Sequence, residues 1–120
     1  MATITSIASG NWNDPSIWDT GTVPGAGDDV VINHEITYNL NDTTTEINTI
    51  TINSGGALRH AEGIQTGIKV WRLYIKGGEY KMTPMSYHVI SQRNSNDDVY
   101  TGRIHMYTND HGKLFIEGSI

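Results

Sequence analysis

The stretch "TITINSGGALRH" (residues 49–60) decides the fold, because its pattern returns twice further along the chain. Two aliphatic residues alternate with variable ones, a glycine turn follows, and an apolar residue then resumes the pattern. The same order stands in "RLYIKGGEYKM" (residues 72–82) and in "KLFIEGSI" (residues 113–120). A strand-turn-strand phrase that repeats at about 20 to 25 residues is typical of a β-solenoid, since one coil buries its apolar face only against the next coil.

The rest of the chain favours strands and turns. Isoleucine, valine, threonine and tyrosine dominate the periodic segments, and no window of about 11 residues keeps an apolar period of 3.6. We therefore predict an all-β fold, a short right-handed β-solenoid, with a β-sandwich or jelly roll as the alternative. The length of 120 residues suits a single domain, residues 1–120.

The three copies of the phrase are unevenly spaced. Their central isoleucines, Ile52, Ile75 and Ile116, stand 23 and then 41 residues apart, so the second gap holds one period and 18 additional residues. Strand-like segments at residues 86–91 and 99–108 flank a polar loop there, which predicts a hairpin that projects from the coil. The predicted divisions are a cap at residues 1–28, coils at 29–82, the hairpin at 83–112 and a terminal strand at 113–120.

Two tryptophans and two prolines precede the first coil, within "SGNWNDPSIWDTGTVPGAGDDVVI" (residues 9–32). The end coil of a solenoid exposes an apolar cross-section and unpaired strand edges, which another element must cover. We predict that Trp12 and Trp18 lie over this cross-section, and that Pro24 and Gly27 steer the chain into the first strand. The predicted role is a cap rather than a ligand platform.

The ionisable residues do not indicate catalysis. Asp28 and Asp29 are neighbours, and neighbouring strand residues point to opposite faces, whereas a glycosidase needs two carboxyls that face each other across a cleft. We interpret both as structural acids of the cap. The five histidines are scattered without zinc spacing, and neither a phosphate loop nor a nucleophile elbow occurs. The sequence therefore predicts no catalytic residue, no metal, no cofactor and no enzymatic activity.

The charge is unevenly distributed behind a formal net charge of −5. Residues 1–58 hold seven acids and no Lys or Arg, while residues 59–120 hold eight basic residues and six acids. Such a distribution suits copies that pack head to tail or side to side, although a plain solvated acidic surface explains it equally. The basic residues are spaced singly rather than in an aromatic-laced patch, so nucleic acid is not predicted as a partner.

No membrane or export segment is predicted. The longest aliphatic run, residues 30–32, is far too short for a membrane span, and the start "MATITSIASG" lacks the basic end and the apolar core of a signal peptide. We expect the chain to act where it is made or to leave within a larger particle.

Tyrosines collect in the second half, where five of the six follow Leu73. A tyrosine offers a rigid amphipathic ring that suits protein interfaces and sugar contacts, with half-buried strand positions as the alternative. The candidates for an interface or a glycan contact are Tyr80, Tyr87, Tyr100 and Tyr107.

The motif "GNWNDPSIW" (residues 10–18), followed by "VPGAGDDVVI" (residues 23–32), resembles the N-terminal signature of the eight-glycine, or G8, domain family. That signature stands at the start of β-helical segments in animal extracellular proteins, bacterial surface proteins and virion proteins of tailed phages. Animal members are associated with hyaluronan binding or breakdown, and no residue here matches a catalytic position. The short length and the absence of an export signal favour the phage relatives.

The resemblance implies a non-enzymatic structural protein of a tailed-phage virion, either a capsid decoration or a tail or fibre component. The chain stops at Ile120 within a coil phrase, and an uncovered edge there invites pairing with another chain. We therefore expect a homo-oligomer, a trimer first, in contact with other virion proteins. The alternative is a carbohydrate-binding surface module, or the N-terminal part of a larger adhesin or polysaccharide-processing protein at the cell surface, with a surface glycan as its partner.

Overall fold

A computed structural model describes residues 2–90, 104–106 and 113–115, with side chains as far as Ser86. Within these ranges the regular elements are strands, apart from one 3-10 turn at Pro15–Ile17. The strands are, in chain order, β1 Thr3–Thr5, β2 Gly10–Asn11, β3 Asp29–Ile32, β4 Glu35–Tyr38, β5 Asn41–Asn53, β6 Ala57–His60, β7 Thr66–Lys76, β8 Glu79–Lys81, β9 Ser86–Ile90, β10 Ile104–Met106 and β11 Lys113–Phe115.

The strands form two sheets that the chain visits in turn. Sheet 1 has the order β1-β3-β5-β7-β10, with β9 also paired with β7, and sheet 2 has the order β2-β4-β6-β8-β11. All of these neighbours run parallel. Each coil thus adds one layer to both sheets, which confirms the predicted all-β solenoid. The sandwich alternative is excluded, because its sheets are built from antiparallel neighbours.

The predicted repeat is confirmed for two of its three copies. Ile52 pairs with Ile75 in sheet 1, and Leu58 pairs with Tyr80 in sheet 2. The third copy is assigned wrongly, because Leu114 pairs with Tyr80 and so belongs to sheet 2 instead of sheet 1. Because the preceding coil holds additional residues, "KLF" lies in the sheet opposite to the one that the repeated phrase predicts for it.

A layer that lies within the predicted coils at residues 29–82, but lacks the glycine pair of the repeated phrase, precedes the two copies. Ile32 of β3 lies beside Ile52, and Ile36 of β4 lies beside Leu58. Before them, β1 pairs with β3 and β2 pairs with β4. The region predicted as a cap, residues 1–28, therefore also supplies the first layer of both sheets.

The segment predicted as a hairpin, residues 83–112, contributes two strands to sheet 1. Both pair in parallel with β7, β9 along residues 66–70 and β10 along residues 73–75. The strands predicted as arms of the hairpin therefore lie in the coil, since an alternating sequence fits a parallel ladder as well as a hairpin. β9 ends opposite Val70 and β10 begins opposite Leu73, while residues 91–103 lie outside the described part of the chain.

The core lies between the sheets and consists of stacked aliphatic residues. Ile32, Ile52 and Ile75 form one column and are each 0% exposed. A Cβ at Gly56 would lie 2.5 Å from the Ile32 carbonyl oxygen, whereas Gly55 has a φ of 87° and open space around it. The two glycines thus have separate roles, because Gly55 turns the chain and Gly56 allows the close approach of the coils.

Candidate functional site

Trp12 and Trp18 form a buried pair at the N-terminal end of the solenoid. Each is 1% exposed, and their ring centroids lie 5.2 Å apart in edge-to-face geometry. The Trp18 Nε1 donates a hydrogen bond of 2.9 Å to the Trp12 carbonyl oxygen. Aromatic pairs of this geometry stabilise a fold beyond the area they bury. The structure places both rings in the core, where no ligand can stack on them.

The turn between the two tryptophans is fixed by Asp14. Its Oδ1 accepts hydrogen bonds from the Oγ and the N of Ser16, at 2.7 and 2.9 Å, and so caps the turn Pro15–Ile17. These hydrogen bonds hold the pKa of Asp14 below its ordinary value. Proline suits the first position of the turn, because its missing N–H needs no partner there. The chain is thereby reversed, so that Trp18 returns to Trp12.

The same segment covers the free edge of β1. The Asp19 N donates to the Thr5 carbonyl oxygen at 2.9 Å, and the Asp19 Oδ1 accepts from the Thr5 N at 2.9 Å. The Ile7 N donates to the Ile17 carbonyl oxygen at 2.7 Å. Unpaired groups on an edge strand are a template for pairing with other chains. The cap therefore fills hydrogen-bonding positions of this edge as well as the apolar cross-section.

Pro24, Gly27 and Asp28 shape the entry into β3. Pro24 is buried, and Gly27 has a φ of 78°. The Asp28 carboxylate accepts from the Gly25 N at 2.8 Å through Oδ2 and from the Ala2 N at 3.2 Å through Oδ1. Its side chain thus joins the turn to the start of the chain.

Asp29 connects β3 to the following coil. Its Oδ1 accepts from the Asn48 Nδ2 at 2.8 Å and from the Thr49 Oγ1 at 2.6 Å. Both neighbouring acids are therefore engaged in hydrogen bonds that order the coils. In the described ranges, no group of three or more His, Asp or Glu residues lies close enough to hold a metal ion.

An aromatic column, defined by Trp12, Tyr38, His60 and Tyr80, continues from the cap through the coils. Successive ring centroids lie 5.1, 5.5 and 5.6 Å apart. After Trp12, one ring comes from each of β4, β6 and β8. The sequence did not predict this column, because its members differ in residue type and Tyr80 stands two residues earlier in the repeated phrase than His60.

His60 is the polar centre of the aromatic column and is 2% exposed. Its Nδ1 lies 2.8 Å from the Thr66 Oγ1, and its Nε2 lies 2.7 Å from the Tyr80 Oη. Burial lowers the pKa of His60 to about 4 and raises the pKa of Tyr80 well above its ordinary value. At neutral pH both side chains are therefore uncharged, and the imidazole is a hydrogen-bonded part of the core.

The tyrosines predicted to contact a partner or a glycan are not gathered on one surface. Tyr80 is 0% exposed, so that prediction is wrong for it; an inward position of β8 buries the ring against His60. Tyr87 belongs to β9, where it pairs with Gly67. Tyr100 and Tyr107 lie outside the described residues.

Ser6 and His34 form a contact of the kind found between a nucleophile and its base, with the Oγ 2.9 Å from the Nδ1. Ser6 is 3% exposed, and its Oγ also accepts from the Asn33 N at 2.9 Å. A nucleophile must reach the substrate it attacks. The buried hydroxyl instead joins the first coil to the turn between β3 and β4.

The outer face of sheet 2 carries a charged groove. Arg59 lies between acids of the two neighbouring coils, with Nη2 3.3 Å from the Glu35 Oε1 and Nε 3.0 Å from the Glu79 Oε1. These residues line a cavity of about 220 Å³, and a second cavity of about 380 Å³ beside it is also lined by Lys81 and Thr83. Because Arg59 pairs with both carboxylates, the two acids do not form a free acid and base.

The outer face of sheet 1 presents Trp71, Arg72 and Tyr74, all partly exposed. The Arg72 guanidinium carbon lies 4.3 Å from the centroid of the Trp71 ring, and the Arg72 Nη1 donates to the Tyr74 Oη at 3.4 Å. Trp, Tyr and Arg are the residues enriched at the energetic centres of protein interfaces. The sequence analysis did not predict Trp71 as a surface residue. In "VWRL" (residues 70–73) two residues, rather than one, separate the buried Val70 from the buried Leu73, and this break in the alternation was the available signal.

The described residues thus define a class, a β-solenoid module whose buried polar groups order its coils and whose outer faces are open. They include no helix long and apolar enough to span a membrane. A family model, the G8 domain, matches residues 17–118. The chain belongs to the G8 domain family, which confirms the resemblance seen in the cap and extends it over the coils. No curated protein and no solved structure matches the chain.

Proposed function

We propose that the chain is a non-enzymatic structural module of a tailed-phage virion, a head decoration or a tail or fibre component, that acts through homo-oligomeric assembly. The observation that carries the proposal is the order of charge along the stacked coils. Residues 1–58 supply acids without Lys or Arg, and the basic residues begin at Arg59. Because the coils stack in chain order, one end of the solenoid is acidic and the other has basic groups. Such a module attracts further copies of itself.

The cap favours assembly through the sides of the solenoid. At the N-terminal end, the backbone groups of Thr5 and Ile7 on and next to β1 already pair with the cap. An incoming strand would have to displace those hydrogen bonds before it could extend sheet 1. The open outer faces of the two sheets require no such displacement.

The absence of enzymatic activity is proposed from the engagement of the groups that could carry it. His60 is buried and uncharged, and Ser6 is buried beneath the turn it stabilises. The carboxylates of Glu35 and Glu79 both pair with Arg59. A site for acid-base or nucleophilic chemistry needs such groups free and facing a substrate.

Light scattering on the 120-residue chain, measured over micromolar concentrations, tests the assembly. We expect a mass above that of one chain, which falls as salt screens the charges. A monomer at every concentration would contradict the proposal. Mass spectrometry of purified virions from the source of the gene tests the setting, because the proposal requires the chain to be part of the particle.

A carbohydrate-binding surface module is the second candidate, favoured by one observation. Trp71 and Tyr74 are partly exposed aromatic residues with Arg72 between them, and ligand sites combine aromatic surface with a few oriented polar groups. Its setting would be a larger protein at the cell surface. A glycan array with the wild type and Trp71→Ala tests it, because binding must occur and must be lost in the variant.

A further inference from the structure

The outer face of sheet 1 carries an acid and a base on opposite sides of its central strand, β5. The order β1-β3-β5-β7-β10 places β5 in the centre. Residues that alternate with the buried column on β3, β5 and β7 point outward, and the pairing sets them in rows across the sheet. We call those that form complete rows across all three strands the sheet-1 face; they are Asp29, Val31, Thr49, Thr51, Arg72 and Tyr74.

Each row of the sheet-1 face has different chemistry at its two ends. In the first row, Asp29 on β3 is followed by Thr49 on β5 and Arg72 on β7. An acid and a base thus stand one strand either side of an uncharged centre. A rotation of 180° about an axis that is parallel to β5 and lies between two facing copies exchanges the two ends of the row. The second copy then presents its base to the acid of the first.

The second row of the sheet-1 face behaves in the same way. Val31 on β3 is followed by Thr51 on β5 and Tyr74 on β7. The same rotation brings an aliphatic side chain onto an aromatic ring and sets Thr51 against Thr51 of the second copy. The face is therefore complementary to itself, which is the requirement for an isologous interface.

We propose that two copies of the chain pack through the sheet-1 face, with β5 over β5 and the stacking axes of the two solenoids antiparallel. This inference rests on the proposed homo-oligomeric function and names its interface. In this pair Asp29 of each copy faces Arg72 of the other, and Val31 faces Tyr74. It differs from the trimer expected from the sequence, because three copies with parallel stacking axes hold Asp29 and Arg72 at different heights and cannot pair them reciprocally.

The charged groups of the sheet-1 face are held in place before a second copy arrives. The Asp29 Oδ1 is fixed by Asn48 and Thr49, while its Oδ2 has no hydrogen bond within the described part of the chain. Arg72 is fixed by the Trp71 ring and by Tyr74. Groups that are already ordered lose little conformational freedom on association, which favours binding.

The size of the sheet-1 face predicts a weak dimer. Even the whole of sheet 1 around this face, five strands at a spacing of about 4.8 Å and five residues at about 3.3 Å each, gives a patch of only roughly 24 by 17 Å. This lies below the roughly 800 Å² that each partner buries in a standard stable interface. We therefore expect dissociation constants in the micromolar range and a strong dependence on salt, since the charged pairs lie near solvent.

The test is sedimentation velocity of the 120-residue chain over a range of concentration, at low and high salt. The variant Thr51→Lys places two ammonium groups at the centre of the proposed pair. Thr37→Lys is its matched control, because Thr37 is also a partly exposed threonine, on the outer face of sheet 2. Thermal unfolding of both variants shows whether they fold as the wild type does.

We expect a wild-type dimer whose dissociation constant rises at least about tenfold at high salt and in Thr51→Lys, while Thr37→Lys remains like the wild type. A charge swap adds a second readout, because Asp29→Lys with Arg72→Glu should recover association that either change alone removes. If the wild type is an oligomer that Thr51→Lys does not weaken, or a trimer, this interface is refuted and the assembly function stands. A wild-type monomer refutes both.

Discussion

The Nε2 of His60 lies 2.7 Å from the Oη of Tyr80, one coil further along the solenoid, and neither side chain is more than 2% exposed. On the other side of the imidazole, Thr66 completes the contact. A neutral imidazole has one donor and one acceptor nitrogen, and a hydroxyl takes either role, so the ring is fully satisfied. Three consecutive strands, β6, β7 and β8, are thereby joined by polar contacts inside an apolar core.

Replacing His60 with Phe keeps an aromatic ring in the column and removes both hydrogen bonds. The buried hydroxyls of Thr66 and Tyr80 lose this partner, and we expect the free energy of unfolding to fall by about 2 to 4 kcal/mol. Urea unfolding followed by circular dichroism measures the change. His34→Phe is the control, because His34 is only partly buried and its side chain has one hydrogen bond, with Ser6, among the described residues. An equal loss in both variants would contradict the special role of His60.

His60 also sets a dependence of stability on pH. Its pKa is about 4 in the folded chain because of burial, against an ordinary value of 6.5. Between these values the unfolded chain binds a proton that the folded chain excludes, so stability is complete above pH 6.5 and declines as pH falls towards 4. The decline should reach about 3 kcal/mol. Unfolding free energies measured across this window should slope for the wild type.

The variant His60→Phe supplies the comparison for the pH profile, because it should be nearly flat over the same window. The carboxylates of Asp14 and Asp42 have pKa values held below 3.8 by hydrogen bonds from nearby Ser and Thr residues. They lose their stabilising charge only at lower pH, so they do not imitate the effect of His60. A wild-type profile as flat as that of the variant would show that His60 is not buried and neutral.

The glycine pair at the corner predicts two unequal substitutions. Gly56→Ala brings a Cβ to 2.5 Å from the Ile32 carbonyl oxygen, and neither backbone can move without disturbing the stack. We expect a loss of about 3 kcal/mol or more. Gly55→Ala meets open space and carries only the strain of its φ of 87°, about 1 to 2 kcal/mol. Denaturation midpoints that fall equally would contradict the close approach at Gly56.

The sequence predicted the solenoid because the coils around Ile52 and Ile75 repeat both the aliphatic alternation and the glycine pair. The preceding coil lies within the predicted coils at residues 29–82 but lacks the repeated phrase, because Asn33 and His34 stand in place of the glycine pair and its turn from Ile32 to the next strand is shorter. Local turn chemistry differs between coils even where the stacking is the same, so a pattern search that relies on glycine finds only some of them.

The later coil and the aromatic column were unpredictable for another reason. Ile90 pairs with Val70 and Ile104 pairs with Leu73, so β9 and β10 stand much further apart in the sequence than their partner positions on β7, and this difference shifts the phase of β11. Tyr80 pairs with Leu58 in the sheet, yet its ring contacts His60, two residues further on. Contacts between rings on different coils depend on side-chain direction as well as register. The clustering of tyrosines in the second half therefore assigned Tyr80 to a surface that it does not reach, whereas the repeated phrase aligned it with the buried Leu58.

The cap offers the last prediction. Trp18→Ala removes a ring that is 1% exposed, together with the hydrogen bond from its Nε1 to the Trp12 carbonyl oxygen. We expect a loss of about 3 to 5 kcal/mol in the free energy of unfolding. The segment that pairs with Thr5 and Ile7 should loosen as well, because Trp18 anchors it between Ile17 and Asp19. Hydrogen exchange at the amides of Thr5 and Ile7 should then accelerate more than at the buried residues of β5.

Trp71→Ala is the matched control for the cap, because Trp71 is partly exposed and stacks on Arg72 at the outer face of sheet 1. Its loss should cost about 1 kcal/mol, the scale of an exposed cation–π contact. The two variants should also differ in binding. Self-association or glycan binding through sheet 1 should weaken in Trp71→Ala and persist in folded Trp18→Ala. If Trp18→Ala left stability unchanged while it abolished binding, the cap would be a recognition surface and its structural assignment would be wrong.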